Sequence, residues 1–223
     1  DITAPFYVGI DEALALQSRR GGTNLVKREC SVLAWGGDCG GQVLAAARRE
    51  AIFAVRRTEE QIQSLRDTIE WMQALPEPRV LMLLSAGIAA DPRNNLSEQV
   101  RALSDAAAAA AVQLYALTDV VDVADVSDLT PERAQARRAE ARFLNRGVQT
   151  FAAAAGGEAF LVVGQPDRFL QRILLETSAI YRLGVQINQS STDAREFLDV
   201  KVKVKRRGAT TRARHRAVRP GAS

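Results

Sequence analysis

Residues 79–85 read Arg79-Val-Leu-Met-Leu-Leu-Ser85, an almost wholly apolar run that ends at Ala86-Gly87. A short apolar run between turn residues predicts a strand buried on both faces of a sheet. The segment from Leu96 to Ala111 has helical spacing and an alanine tract that allows close packing, and Val112-Gln-Leu-Tyr-Ala-Leu117 predicts a second buried strand. Strand, helix and strand over about forty residues have the size of a right-handed β-α-β crossover.

A long helix is predicted before the first strand, from Gln42 to Leu75, where the sequence contains neither proline nor glycine. Its apolar face repeats at helical spacing through Val55, Ile62, Leu65, Ile69 and Met72. At 1.5 Å per residue such a helix is roughly 50 Å long. We therefore expect its first half to project beyond the core and to contact something else.

Helices and strands continue to alternate after the second strand. Thr130 and Pro131 open a helix as its N-cap and first-turn residue, and we expect this helix to break at Gly147 and then resume. The elements that follow are a strand over residues 158–163, a helix from Gln165 and a strand over residues 181–187. This order predicts a three-layer, Rossmann-like α/β domain with a mostly parallel sheet, helices on both faces and antiparallel strands at the end.

The chain divides into three parts on this interpretation. Residues 1–41 form an irregular N-terminal segment with a possible short helix over residues 11–18, residues 42–187 form the α/β core, and residues 188–223 form a basic β-hairpin with its tail.

The positive charge of the chain is concentrated at its C-terminus. The net charge is +4, but residues 201–223 hold nine lysines and arginines and no acidic residue, so residues 1–200 carry −5. Valine and lysine alternate from Val200 to Lys205, which predicts a strand with one buried and one solvent-exposed face. Gly208 supplies a turn, and alternation resumes from Thr210 to Val218.

This basic hairpin is either the solvated face of a terminal hairpin or a docking face for anionic lipid, polymer or an acidic protein surface. Nucleic-acid recognition is not expected, because no aromatic platform is interleaved with the cations. The candidate docking residues are Lys201, Lys203, Lys205, Arg206, Arg207, Arg212, Arg214 and Arg216.

The two cysteines, Cys30 and Cys39, stand at the ends of one short segment. A disulfide between them would stabilise the fold by roughly 2–3 kcal/mol, whereas the alternative is two free buried thiols in a cytosolic protein. The first residue is Asp1 rather than methionine, which favours a processed, exported chain. We predict the disulfide and a periplasmic or extracellular location. No apolar run approaches the ~18 residues of a membrane span, so we expect no transmembrane segment.

Residue counts and spacing argue against several classes of site. One histidine, His215, and two cysteines are too few for a Cys₂His₂ or Cys₄ zinc site, and a basic tail is a poor place for a catalytic histidine. The acidic residues over 119–128 lack the spacing of a calcium loop, and the glycine-rich residues 36–41 lack the lysine of a phosphate-binding loop. We therefore predict no cofactor, no metal and no small-molecule substrate.

Four segments stand in the order found in a known family. They are Arg79 to Leu84 ending in Ser85-Ala86-Gly87, Val112 to Leu117, Phe151-Ala-Ala-Ala-Ala-Gly-Gly-Glu-Ala-Phe160, and Ile180-Tyr-Arg-Leu-Gly-Val185 followed by Val200 to Gly208. On these segments, within about residues 42–218, the chain resembles a von Willebrand factor A-type domain, more narrowly the bacterial VWFA-related family.

The resemblance implies a divalent cation at the top of the sheet, bound by Asp-x-Ser-x-Ser, a threonine and an acidic residue. This sequence contains no Asp-x-Ser-x-Ser, its acidic position is Ala86, and Gly22-Thr23 resembles the threonine loop only superficially. We therefore expect no functional metal site. The first strand of the family is also missing, so we expect a sheet that is truncated or completed by residues 1–35.

These observations predict a non-enzymatic interaction module, a structural or accessory subunit of an extracytoplasmic assembly, membrane-associated assemblies included. Trp35, Trp71 and the arginines of the basic hairpin are the expected anchors on other protein subunits. The alternative is an adhesin-like module that docks on anionic lipid or polymer through residues 201–219, with binding that weakens steeply with salt. A hydrolase that uses Ser85 is the remaining option.

Overall fold

A computed structural model describes residues 6–16, 22–32, 37–92, 95–119, 129–179, 197–208, 213 and 216–218. The strand predicted over residues 181–187 lies outside this part of the chain, as does most of the acidic segment 119–128. The structure is a mixed α/β fold with a parallel and an antiparallel sheet.

Helices and strands alternate through most of the described chain. The helices are α1 (Ile10–Leu16), α2 (Gly22–Val32), α3 (Cys39–Trp71), α4 (Leu96–Ala109), α5 (Pro131–Ala154) and α6 (Asp167–Thr177), and a 3₁₀ turn follows α3 at Met72–Ala74. The strands are β1 (Arg79–Ser85), β2 (Val112–Asp119), β3 (Ala159–Val162), β4 (Phe197–Asp199) and β5 (Arg216–Val218).

The parallel sheet has the order β1-β2-β3. β1 and β2 pair in a register that runs from Arg79 opposite Val112 to Ser85 opposite Thr118, and β3 joins with Ala159 opposite Ala116. The predicted strand–helix–strand unit is therefore confirmed, with α4 as its crossover.

Helices pack against both faces of this sheet. On one face, α3, α4 and α5 enclose the main core, which contains Ile69, Leu103, Leu114 and Phe151. On the other face, α6 covers β2 and β3, and its Ile173 packs with a smaller cluster. The members of that cluster from the strands are Tyr115, Leu117 and Phe160.

The prediction that β1 is buried on both faces is wrong. β1 is an edge strand of the sheet within the described residues, and of its residues on the α6 side only Val80 packs with the cluster that α6 covers. Leu81 and Leu83 pack against the main core, but Met82 and Leu84 on the opposite face are 41% and 75% exposed. A continuous apolar run cannot distinguish these two situations, because both place apolar residues at every position.

The N-terminal segment is not irregular, and the first half of α3 does not project freely. α1 and α2 lie against α3, where Leu25 of α2 packs with Val43 and Ala47. Leu14 of α1 packs with Ala51 in a neighbouring cluster. The described residues before position 33 are largely helical, so they supply no strand that would complete the parallel sheet.

The helix predicted after Thr130 is confirmed, but it does not break at Gly147. The Thr130 side chain accepts a hydrogen bond from the Arg133 amide, and α5 then runs unbroken to Ala154. A Cβ atom at Gly147 would overlap the carbonyl oxygen of Ile88. Glycine at this position therefore allows close contact between α5 and the chain after β1.

The C-terminal hairpin is antiparallel as predicted, but its first strand lies earlier in the chain. β4 and β5 pair with Phe197 opposite Val218 and Asp199 opposite Arg216. The alternating residues 200–205 follow β4 and form no strand. The turn at Gly208 is present, with φ of 74°.

Candidate interaction surfaces

Trp71 is the most exposed aromatic anchor that the structure describes. It is the last residue of α3 and is 68% exposed. Its neighbours on the helix face the core, since Ile69 and Met72 are buried. The indole ring therefore lies in solvent at the end of a helix that its buried residues hold in place. The other predicted anchor, Trp35, lies outside the described residues.

The basic residues after β4 form an exposed cationic segment. All five described cations between positions 201 and 207 are exposed, and none has an ion pair within the part of the chain that the structure describes. They are Lys201, Lys203, Lys205, Arg206 and Arg207. Arg212 and Arg214 lie outside the described residues.

Arg216 is not part of this exposed segment, which corrects its assignment as a docking residue. Its side chain is only 14% exposed and forms ion pairs with Asp105 of α4 at 2.7 Å and Asp199 of β4 at 3.1 Å. Its guanidinium also lies 5.5 Å from the centre of the Phe197 ring. Arg216 therefore attaches the small antiparallel sheet to α4.

A buried carboxylate, which the sequence analysis did not single out, joins the N-terminal helices to α5. The Glu29 side chain is fully buried. Arg28 Nε lies 2.7 Å from its Oε1, and Arg133 Nη2 lies 2.6 Å from its Oε2. The Tyr7 amide donates a further hydrogen bond to the same Oε2 at 3.0 Å. Two guanidinium groups thus satisfy one buried charge, as burial of a charge requires.

Arg28 extends this arrangement to α1. Its two Nη atoms donate to the two oxygens of Glu12, at 2.7 and 2.9 Å. Burial acts against the charged form of Arg28, but the hydrogen bonds to Glu12 and Glu29 outweigh it, and the net effect raises the pKa of the guanidinium. Arg28 therefore stays charged and fixes α1 relative to α2.

A second carboxylate, Glu140 of α5, also binds the N-terminal segment, through Tyr7 and Ile10. The Tyr7 hydroxyl donates to Glu140 Oε2 at 2.6 Å, and the Ile10 amide donates to Oε1 at 2.9 Å. Burial, followed by this hydrogen bond to the carboxylate, raises the pKa of Tyr7. The phenol remains a donor, and the role of the cluster is structural.

The predicted disulfide between Cys30 and Cys39 is present. It links α2 to the first turn of α3, where Asp38 is the N-cap and its side chain accepts from the Gly41 amide. Both cysteines pack against the apolar cluster that contains Leu25 and Val43. The bond therefore closes the connection between two helices that already pack together.

An open cleft of about 360 Å³ lies between α3 and the end of β1. Polar groups of α3 line one side, with Arg57 and Glu60 among them, and Leu83 and Ser85 line the other. Ser85 Oγ accepts a hydrogen bond from the Gly87 amide at 3.0 Å. The place where the resemblance implies a divalent cation thus holds Ala86 and a serine engaged with its own turn, and the Glu60 carboxylate and the Arg57 guanidinium line the same cleft.

The sequence predictions on two further features can be compared with the described residues: clustered metal ligands and a membrane-spanning helix. No three side chains of His, Cys, Asp or Glu come together there in a way that could hold a metal ion. None of the described helices combines the length and hydropathy needed to cross a bilayer. In comparisons with known proteins, no protein family, no curated protein and no solved structure matches this chain.

Proposed function

We propose that this chain is a non-enzymatic interaction module, a degenerate von Willebrand factor A-type domain with a three-layer α/β scaffold. It binds other protein subunits in an extracytoplasmic assembly, membrane-associated assemblies included. The observation that supports this proposal most is Trp71, a large aromatic side chain held in solvent at the end of a fixed helix.

A rigidly mounted tryptophan is the residue type that most often contributes strongly to a protein–protein interface. Because α3 is packed along its length by α1, α2 and α4, Trp71 loses little backbone freedom on binding. Low ordering entropy leaves more of the apolar burial available for affinity.

The disulfide supports the proposed compartment. Disulfides persist in the periplasm and outside the cell and are rare in a reducing cytosol. The bond between Cys30 and Cys39 leaves no free thiol in the chain. We therefore place the module outside the cytoplasm.

Crosslinking in intact cells, followed by purification of the chain, tests the proposal. Trp71→Ala should remove a specific crosslinked protein, because it deletes the anchor without touching the core. Leu175→Ala is the matched control, since Leu175 is 74% exposed on a different helix. If the Trp71→Ala variant gave the same set of crosslinked proteins as the unaltered protein, the result would count against the proposal.

The exposed cationic segment favours a second candidate, an adhesin-like module that docks on anionic lipid or polymer. Its five unpaired cations are clustered over seven residues of the described chain. Co-sedimentation with vesicles of anionic phospholipid over a series of salt concentrations separates the two candidates. Electrostatic docking weakens steeply as salt rises, whereas binding through Trp71 does not.

A further inference from the structure

The outer edge of β1 lacks a paired strand in the part of the chain that the structure describes. Among the described strands, β1 pairs with β2 alone. Alternate residues of such an edge strand turn their amide and carbonyl groups away from the sheet. Natural edges are usually protected by charged side chains or proline, but residues 80–84 read Val-Leu-Met-Leu-Leu. As far as the described residues extend, this edge is open to another strand.

One flank of α3 stands beside the same edge. Arg57, Glu60 and Ser64 line the cleft whose far side is Leu83 and Ser85. Steps of four and three residues extend this line in both directions along the helix. All six of its members are exposed: Phe53, Arg57, Glu60, Ser64, Asp67 and Trp71. We call these six residues the α3 stripe.

The spacing of the α3 stripe is that of a helix–helix seam. Alternating steps of three and four residues place side chains along a line that can meet a second helix over its whole length. From Phe53 to Trp71 the stripe is about 27 Å long. Other exposed residues of α3, such as Ile52, Arg56 and Glu59, have the same spacing, so what distinguishes the α3 stripe is its place beside the β1 edge.

The α3 stripe is complementary to itself when two copies run antiparallel. Arg57 then faces Asp67 of the second copy, and Phe53 faces Trp71. Within the described residues neither Arg57 nor Asp67 has an ion pair, and Asp67 accepts only a hydrogen bond from Gln63 at 2.7 Å. Both charges are thus available to a partner.

We propose that two copies of this chain associate about a two-fold axis through the β1 edge and the α3 stripe. The two β1 strands pair antiparallel and join two three-stranded sheets into one. The two α3 helices pack above this junction, with Arg57 of each copy against Asp67 of the other. On the opposite face of the sheet, Met82 and Leu84 lie beside the apolar side chains of the second β1 strand.

The size of this surface is sufficient for a specific interface. A strip 27 Å long that includes one helix and one strand edge covers roughly 500 Å² on each copy. The total, about 1,000 Å², reaches the minimum expected of a biological interface and lies in the range of weak or transient complexes. An isologous contact of this kind closes on itself and produces dimers rather than filaments.

The inference rests on the proposed function, because it assigns Trp71 to an interface and names a second copy as the partner. Sedimentation velocity over a wide range of concentrations tests it. The chain should dimerise, and Leu84→Lys, Arg57→Asp and Asp67→Arg should each weaken the dimer by about tenfold or more through an edge charge or like-charge contact. The double variant Arg57→Asp/Asp67→Arg should restore association, because it reverses both charges.

Two matched controls keep the test specific. Arg48→Asp makes the same charge change at an exposed position on the opposite flank of α3, and Leu175→Lys places a lysine at an exposed leucine of α6. Neither should alter the dimer, and far-ultraviolet circular dichroism should be unchanged in all variants.

A chain that stays monomeric at every concentration overturns the inference. A dimer whose dissociation constant is unchanged by Leu84→Lys, or that is not restored by the double charge reversal, also overturns it. A monomer that still loses a crosslinked partner through Trp71→Ala overturns only the inference and leaves the proposed function standing.

Discussion

Arg133 and Glu29 are 104 residues apart in the sequence, yet their side chains meet at 2.6 Å. The contact joins α5 to α2, and Arg28 occupies the other oxygen of the same carboxylate. The two short N-terminal helices are therefore attached to the domain by a buried charge cluster as well as by apolar packing.

Removal of the Glu29 carboxylate should be strongly destabilising. Glu29→Ala leaves Arg28 and Arg133 mostly buried without their shared partner, and loss of one member of a buried pair lowers the free energy of unfolding by about 3–5 kcal/mol. Urea denaturation measures this change. Glu70→Ala is the control, because Glu70 is exposed and lies 4.0 Å from Arg66, so the loss should stay within about 0.5 kcal/mol. Equal effects would show that the cluster does not hold the N-terminal helices.

Asp11 should make stability fall as the pH rises. Burial is the largest influence on this carboxyl and raises its pKa above the ordinary 3.8, against a backbone hydrogen bond at Glu12 and together with the charges of Glu12 and Glu140. The folded state therefore binds the proton more tightly than the unfolded state. The contribution of Asp11 to the free energy of unfolding is greatest below 3.8, decreases as the pH rises through the folded pKa, and is constant above it.

Asp11→Asn removes this titration. The free energy of unfolding of the variant, relative to that of the unaltered protein, should rise with pH over the same window and then level off. Thermal or urea unfolding at a series of pH values measures the difference. Parallel stability curves for the two proteins would contradict the prediction.

Reduction of the disulfide should loosen the N-terminal helices without unfolding the sheet. The bond closes a loop with a sequence separation of 9, and its loss lowers stability by roughly 2–3 kcal/mol on the chain-entropy estimate. We expect dithiothreitol to lower the Tm of the unaltered chain and to have no effect on Cys30→Ser/Cys39→Ser. If dithiothreitol changed the Tm of neither protein, apolar packing alone would hold α2 in place.

The parts of the fold that could be predicted from the sequence are those set by local patterns. The span of α3 follows from a run without proline or glycine, and the pairing of β1 with β2 follows from two apolar runs separated by a helix. The helix α2 could not be predicted in this way. Its burial depends on Glu29 meeting Arg133 of α5, and no local signal connects residues so distant in sequence.

The candidate surfaces divide in the same manner. The sequence shows where the cationic residues cluster, but tertiary contacts decide which of them form ion pairs and which remain exposed. Arg216 shows this, since Asp105 of α4 removes it from the exposed set. The exposure of Leu84 likewise depends on where α6 lies, which the apolar run of β1 does not encode.

Gly147→Ala should destabilise the domain even though alanine is the better helix former. The α5 backbone approaches Ile88 so closely that a new methyl group would overlap its carbonyl oxygen, and backbone cannot move aside as a flexible side chain can. Alanine gains about 1 kcal/mol in helix propensity, but overpacking against fixed structure costs about 1–3 kcal/mol or more. We expect a net loss of up to about 2 kcal/mol in the free energy of unfolding.

Gly40→Ala separates this packing effect from propensity. Gly40 is also helical, but the nearest atom to its added Cβ would be the Val26 methyl carbon Cγ1 at 3.4 Å, a contact that a small shift accommodates. This variant should be neutral or slightly more stable in the same urea titration. If Gly147→Ala also gained stability, then α5 and the chain after β1 would not be in the close contact that allows this helix to run unbroken, and the packing of the main core beneath it would need revision.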